Sequence, residues 1–384
     1  MQAYVRALSR EQGRRGMEVD VFTRRTDPDT PTIVPLADNV RVVHLVAGAT
    51  ETIDKNTVFD LAPEFVCNLQ RFTRAEGVSY DLVHSHYWLS GWVGHLVAPR
   101  WGVPHVTMFH TLGRLKNRAL PESGESDARI RAEQRVISTS DEIIAASQHE
   151  RESLVELYGA SAGRVAVIPC GVDLELFRPT DRNAAQQRLG LSGDVLLFVG
   201  RMDPIKGLDL LIRAFAQLPD RSDLTLVVVG GAGDETEYQR NRQLAHELGI
   251  ADRVQFRGAV AQEQLPDYYN VATACVVPSH YESFGLTAIE ALACGTPVVA
   301  SMVGGLTSVV RDRSNGLLVP WRRPGAFAAR LDEVLRQPSL RAHLARQARP
   351  SVTAYGWDRI ADAVDEIYGI ARQAANVECC SGVV

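Results

Sequence analysis

Val195-Leu-Leu-Phe-Val-Gly-Arg-Met-Asp-Pro-Ile-Lys-Gly207 runs directly into the helical pattern Leu208–Leu218. An unbroken apolar run that stops at a glycine and reopens as a helix reads as a strand buried on both faces and its crossover helix. The turn sets Arg201 and Lys206 beside a helix N-terminus, where backbone N–H groups and the dipole favour an anion. Two cations there suit a diphosphate. An ordinary surface loop with two solvated cations explains this stretch, taken alone, equally well.

The same strand–helix alternation recurs almost throughout the chain. After this run come strand patterns near Leu224–Val229, Val254–Arg257, Ala274–Val277 and Pro297–Ala300. Before it come Glu18–Phe22, Val40–Leu45, Asp81–Ser85, His105–Phe109, Glu142–Ala145 and Arg164–Ile168. Helical stretches lie between them near Phe59–Ala75, Trp88–Arg100, Ser126–Ser138 and Glu150–Tyr158. Repeated βα units predict parallel sheets. Pro169-Cys170-Gly171-Val172-Asp173, with the polar Arg178–Asn183 behind it, reads as a linker and hinge. The expectation is therefore an α/β protein of two doubly wound domains, 1–170 and 171–356, facing across a cleft at the carboxyl ends of their strands. A last helix, 357–372, is expected to pack back on the first domain, with 373–384 as a mobile tail. A doubly wound domain ordinarily opens with a strand and a glycine-rich turn, whereas this sequence opens in an amphipathic helix, Gln2–Arg15. The first strand is thus expected to be missing.

Composition narrows the function classes. A chain of 384 residues accommodates two domains, and 45% hydrophobic with 23% charged residues is globular. A net charge of -5 argues against a nucleic-acid binder. No apolar run reaches the roughly 18–20 residues of a membrane span, and no signal peptide is evident, so a cytoplasmic location is expected. An interfacial helix keeps peripheral membrane contact open. Cys67, Cys170, Cys275, Cys294, Cys379 and Cys380 lack zinc spacing; most sit in apolar contexts and are expected to be reduced core residues, and the adjacent Cys379 and Cys380 in the polar tail are assigned no role.

Val277-Pro-Ser-His-Tyr-Glu-Ser-Phe-Gly-Leu-Thr-Ala-Ile-Glu-Ala-Leu-Ala-Cys-Gly-Thr-Pro297 reads as a strand, a loop and a helix stopped at Gly295. Glu282 lies in the loop and Glu290 two turns along the helix, so one carboxylate can meet a sugar hydroxyl and the other a ribose. The alternative makes Glu282 a helix cap and Glu290 a solvated charge. Against it, Glu290 sits among Ala288, Ile289, Ala291 and Leu292, where an unpaired buried charge is expensive. Gly230-Gly231-Ala232-Gly233 after a strand permits close backbone approach but is weak evidence. In the first half, Asp81-Leu-Val-His-Ser-His-Tyr-Trp-Leu-Ser-Gly91 and Thr107-Met-Phe-His-Thr-Leu-Gly-Arg-Leu-Lys-Asn117 place polar groups just past strand ends. His84 reads as a core histidine. His86, Tyr87, His110 and Thr111 are better placed for substrate, and the spacing points to no metal site.

With these pieces assembled, the chain resembles the retaining glycosyltransferases of family 4, which have the GT-B fold of two Rossmann-like domains. The resemblance rests on Gly200-Arg201, Lys206-Gly207, the glutamates of Glu282-Ser-Phe-Gly-Leu-Thr-Ala-Ile-Glu290, Gly304-Gly305 and Asn315-Gly-Leu-Leu-Val319. It implies that Arg201 and Lys206 hold a donor pyrophosphate, Glu282 the donor sugar and Glu290 the ribose. Ser283, Phe284, Gly285 and Leu286 would offer backbone N–H groups. The first half is most similar to the branch that glycosylates D-inositol 3-phosphate, with Lys55, Tyr87, Thr111 and Arg129 matching its acceptor-phosphate ligands. A lysine, an arginine and two hydroxyls make a sensible dianion site. Gln2 would lie near it, and Val260 stands where that branch tends to carry an arginine.

The resemblance further implies transfer of a hexosyl group, glucose or N-acetylglucosamine, from a UDP-sugar to a small phosphorylated acceptor with retention. Front-face displacement would leave Arg201, Lys206 and Glu282 at the donor, with His110 orienting a sugar hydroxyl. No cofactor is required for the chemistry, and a peripheral magnesium ion is compatible with it. A homodimer is what the relatives suggest. Two other enzyme readings are transfer to a hexose phosphate, as in sucrose-phosphate synthases, and transfer to a lipid-linked acceptor. A reading of another class is a non-catalytic nucleotide-sugar binder.

Overall fold

The computed structural model describes residues 1–121, 124–219, 223–231, 235–320 and 322–381. It divides into two compact units with crossings at 171/172 and 356/357. The first holds residues 1–116, 124–171 and the described part of Trp357–Val384. The second holds 172–356 and the described part of Asn117–Ser123, a short stretch that sequence reading left in the first domain. Arg322 donates to the Ala119 carbonyl at 3.4 Å within that second unit.

The second unit is built on one parallel sheet. In the chain's full strand numbering its members are β8 (Asp194–Val199), β9 (Leu224–Val229), β10 (Val254–Gly258), β11 (Ala274–Val277), β12 (Val298–Ser301) and β13 (Gly316–Val319). Their spatial order is β10-β9-β8-β11-β12-β13. Successive strands therefore march outward from β8 on one side, and the chain then returns to the centre to lay down β11 beside it. Leu196, Leu226, Val276, Val299 and Leu317 are all essentially inaccessible, as strands covered on both faces require. Helix Leu208–Phe215 seals one face through Leu211, Ile212 and Phe215 against Phe327 and Leu331 of helix Pro324–Arg336. β13 was not expected as a strand, because Gly316-Leu-Leu-Val319 opens on glycine, which strands disfavour, and holds a single β-branched residue.

The first unit carries two sheets. One comprises β1 (Val19–Arg24), β2 (Ile33–Ala37) and β3 (Val40–Leu45) in the order β1-β3-β2, with β2 antiparallel. The other comprises β4 (Val83–His86), β5 (His105–Met108), β6 (Glu142–Ala145) and β7 (Val165–Val167), all parallel and in sequence order. β2 escaped sequence reading because Pro35 sits in its middle, a residue tolerated only at a sheet edge. Helix Gln2–Arg14 packs on the last helix, Trp357–Ser381. Arg15 binds Asp362 at 2.7 Å and Asp365 at 3.0 Å, and the Tyr4 ring meets Trp357 edge-on. The last helix passes the expected end at Arg372, so residues 373–381 are helical rather than an irregular tail. Gln373-Ala-Ala375 is strongly helix-favouring, and no glycine or proline intervenes before Gly382. Among the described residues no helix is long and apolar enough to cross a membrane.

Two glycines set how closely β8 and β9 end together. A Cβ on Gly230 would lie 1.7 Å from the Gly200 carbonyl oxygen. Backbone on both sides leaves nothing to give way. Gly230→Ala is expected to destabilise the second unit by about 1–3 kcal/mol. Thermal unfolding of the variant checks this, and an unchanged midpoint would contradict the close approach.

Candidate active site

Where strand order reverses, the loops following β8 and β11 emerge side by side, leaving a natural ligand position at the carboxyl ends of the strands. After β8, Asp203 caps the turn Pro204–Lys206 by accepting from the Ile205 N–H at 3.1 Å. Gly207 then adopts φ 68°, and a Cβ there would sit 2.4 Å from the Pro278 carbonyl of the β11 loop. The loops are stitched further by the His280 N–H donating to the Ile205 carbonyl at 2.8 Å. This contact delivers Lys206 to Glu282, with Nζ 2.7 Å from Oε2. Ser279 Oγ donates to the same carboxylate oxygen at 3.3 Å. Arg201 is exposed and makes a long contact of 3.4 Å to Asp203, so its guanidinium is available to an incoming anion.

Gly304 and Gly305, in the loop after β12, lie against the backbone of Glu282 and Ser283. The Gly305 N–H donates to the Glu282 carbonyl at 2.8 Å, and a Cβ on either glycine would meet the Glu282 or Ser283 carbonyl at 2.1 Å. Gly285, at φ 103°, opens helix Leu286–Ala293. Ser283 donates to the Tyr281 hydroxyl at 3.0 Å, and the buried Phe284 ring packs edge-on against Tyr355. Glu290 projects from that helix and accepts from the Tyr269 hydroxyl at 2.7 Å. Burial pushes its carboxyl up to about 7, against the lowering effect of the Tyr269 hydrogen bond. Tyr269, fully buried on helix Leu265–Val271, is the partner that sequence reading missed. No local pattern in Pro266-Asp-Tyr-Tyr-Asn270 links it to a glutamate twenty-one residues away. Of the glycine-rich turn after β9, Gly230 and Gly231 are ordered against neighbouring backbone, whereas Ala232 and Gly233 lie outside the described residues.

In the first unit, the residues just past β4 and β5 are held in left-handed backbone conformations. Tyr87 has φ 79° and His110 φ 60°, which non-glycine residues adopt only under local constraint. His86 Nδ1 lies 3.1 Å from His110 Nε2, one donating to the other, and the Tyr4 ring packs against both imidazoles. Behind them His84 Nδ1 meets the Tyr368 hydroxyl at 2.6 Å and His105 Nε2 meets Ser85 Oγ at 2.7 Å. Burial holds all four imidazoles neutral: His105 and His110 are lowered to about 3, His84 and His86 well below the usual value.

Beside this cluster, Tyr87, Thr111 and Arg129 converge. The Arg129 guanidinium is buried and every one of its N–H directions is engaged. Nε meets Glu133 at 2.7 Å and Nη1 meets Glu125 at 2.9 Å and the Tyr87 hydroxyl at 3.3 Å. Nη2 donates to the Thr111 carbonyl at 2.9 Å and to Thr111 Oγ1 at 3.1 Å. Glu133 also accepts from the Gly113 N–H and the Tyr158 hydroxyl, and Glu125 receives Lys116 Nζ at 2.6 Å. The carboxylates were missed by sequence reading, although Glu125 and Glu133 stand four residues either side of Arg129, the spacing of helical ion pairs. Lys55 opens the short helix Lys55–Asp60, and its side chain lies outside the described residues. Gln2 is exposed on the first turn of the N-terminal helix. Among the described residues no three His, Cys, Asp or Glu side chains converge as metal ligands.

The family model for glycosyl transferases group 1 matches residues 180–350, and that for Glycosyltransferase Family 4 matches residues 1–176. D-inositol 3-phosphate glycosyltransferase of Xylanimonas cellulosilytica is 44% identical over 97% of this chain and 92% of its own. The enzyme of that name from Frankia alni is 44% identical over 98% and 96%. Among solved structures, sucrose-phosphate synthase from Thermosynechococcus elongatus superposes with a TM-score of 0.90 at 36% identity, covering 97% of this chain and 93% of that one. Anabaena HepE, solved with UDP-glucose, shares the fold at a TM-score of 0.73 and 24% identity, with 85% of each chain covered. The two-unit α/β architecture is therefore the GT-B fold.

The buried imidazoles carry a pH signature. A histidine that is neutral when folded and has a pKa near 6.5 when unfolded contributes stability that is fully present above about 6.5 and lost as pH falls toward the folded value. Glu150, raised to about 7 by burial in the same unit, acts in the opposite direction, because its unfolded form ionises first. Glu142, also raised by burial in that unit, and Glu290 of the second unit, raised to about 7, act in the same sense as Glu150, and the four imidazoles outweigh these three carboxyls. The unfolding midpoint should fall between pH 7 and pH 5, and less steeply in His105→Gln. A wild-type midpoint that is flat over this range would contradict the neutral cluster.

Proposed function

The chain belongs to the glycosyltransferases of family 4, and from that premise we propose that it moves a hexosyl group, glucose or N-acetylglucosamine, from a UDP-sugar to a hydroxyl of a small phosphorylated acceptor such as an inositol phosphate. The observation that carries this reading is the Lys206–Glu282 pair at the reversal point of the second unit's sheet. A cation beside the exposed Arg201 suits a diphosphate. The carboxylate next to it suits sugar hydroxyls, and Glu290, held by Tyr269, suits the vicinal hydroxyls of a ribose. As the glycosidic bond breaks, negative charge grows on the leaving diphosphate, and Arg201, Lys206 and the N–H groups of Ser283–Leu286 stabilise it.

No carboxylate pair of the kind that retaining hydrolases use belongs to this proposal. The reaction proceeds on one face of the sugar with retention, the leaving phosphate oxygen taking the acceptor's proton. His110, neutral and fixed by His86, orients a sugar hydroxyl. Arg201, Lys206 and the backbone N–H groups neutralise the diphosphate, so no metal is assigned a chemical step. The phosphorylated acceptor is supported by Tyr87, Thr111 and Arg129 lying together and by relatives named for D-inositol 3-phosphate. A hexose phosphate is the second reading, favoured by the 36% identity to a sucrose-phosphate synthase.

A mass-spectrometric assay of UDP-glucose and UDP-N-acetylglucosamine against inositol phosphate and hexose phosphates tests the proposal. Glycosylated acceptor is expected in one combination, and failure with every phosphorylated acceptor would remove the acceptor half. Glu290→Ala should weaken UDP binding about 10–100-fold, the worth of a hydrogen bond to a charged group. Lys55→Ala should raise the acceptor KM alone. If Lys55→Ala changed donor binding instead, the assignment of the two sites would be wrong.

A further inference from the structure

The two carboxylates of the Arg129 cluster are held in different ways. Glu133 has the contacts of a structural partner: it sits on the same helix as Arg129, is completely buried, and also receives a backbone N–H and the Tyr158 hydroxyl. Glu125 is different. It precedes the helix's capping residue, Ser126, and so lies on a connecting segment. Its two oxygens bridge two cations, Oε1 to Lys116 Nζ at 2.6 Å and Oε2 to Arg129 Nη1 at 2.9 Å. The Tyr87 hydroxyl reaches the same Arg129 nitrogen. A buried carboxylate that spans a lysine and an arginine beside a hydroxyl makes the contacts expected of two oxygens of a phosphate monoester.

We infer that Glu125 is an internal stand-in for the acceptor's phosphate, and that Lys116 is a further ligand of that phosphate. The inference rests on the proposed use of a phosphorylated acceptor. Charge decides the exchange. Lys116 and Arg129 are balanced by Glu125 and Glu133, so, before the charge of Lys55 is counted, a dianion entering beside both carboxylates would leave a buried excess of two negative charges, an arrangement of high cost. When Glu125 leaves for solvent, its two cation contacts pass to the phosphate. The dianion holds them more strongly, and the buried excess falls to one charge. Because a neutral acceptor offers nothing to replace Glu125, the same carboxylate acts as a selectivity element against unphosphorylated sugars and polyols. Loop position makes the exchange feasible, since turning about Ser126 moves Glu125 without disturbing the Arg129–Glu133 pair on the helix.

The test compares wild type with Glu125→Gln and Glu125→Asp, the latter keeping the charge but too short to bridge both cations. Inorganic phosphate binding is measured by calorimetry, and acceptor KM with inositol phosphate as the probe. Both variants should bind phosphate about tenfold more tightly, the loss of one competing ionic contact, and lower the acceptor KM in proportion. UDP affinity should stay at the wild-type value, and Lys116→Met should weaken phosphate binding. Should Glu125→Gln fail to fold, the aspartate variant alone decides the matter. Unchanged or weaker phosphate binding in the folded variants overturns the inference, assigning Glu125 to structure alone. Tighter phosphate binding without transfer to any phosphorylated acceptor leaves the stand-in intact and removes the acceptor reading instead.

Discussion

The second unit depends on a topological constraint: β8 and β11 are neighbours in space but lie far apart in sequence, because the chain completes one side of the sheet before starting the other. Right-handed crossovers then send the two connections to opposite faces, so the loops after β8 and β11 diverge and leave room between them. Everything specific about the site follows from how those loops are kept in touch. Gly207 lies against the Pro278 carbonyl, Gly304 and Gly305 lie against the backbone of Glu282 and Ser283, and Lys206 meets Glu282 within that frame. Side chains in place of these glycines would force the loops apart, and the ion pair with them.

The two units handle charge in contrasting ways. In the second, Arg201 is exposed and Lys206 shares a partly solvated carboxylate, so positive charge is ready for a ligand. In the first, Arg129 is buried and fully engaged, and the histidines beside it are neutral. An anion can reach the exposed Arg201 of the second unit without rearrangement, whereas in the first unit the proposed exchange has it take the place of Glu125. Tyr87 and His110, two of the four non-glycine residues with positive φ among the described residues, stand just past β4 and β5, where surrounding packing overrides local preference.

Much of this was legible in the sequence, and the reasons are physical. The continuous apolar runs of β8, β9 and β11 announce buried parallel strands, and the spacing of Arg201, Lys206, Glu282 and Glu290 marks the loops that follow them. β2 was hidden by Pro35 and β13 by the glycine that opens it. The helix beyond Arg372 was read as a tail although its residues favour helix. Partners of the site residues were harder to read, because pairing across the fold leaves no local pattern. Tyr269 is bonded to Glu290 from another helix, and Tyr158 reaches Glu133 from the end of the helix after β6. Glu125 and Glu133 did have the right spacing around Arg129. Their effect on it appears only when all five N–H directions are traced.

The central claim is that the second unit binds the nucleotide of a UDP-sugar where its sheet order reverses. A crystal structure of the protein with UDP tests that most directly. The account predicts the diphosphate within hydrogen-bonding distance of Arg201 or Lys206, and the ribose hydroxyls on Glu290, beyond the carboxyl ends of β8 and β11. Well-defined UDP elsewhere on the unit, or ribose hydroxyls turned away from Glu290, would contradict it.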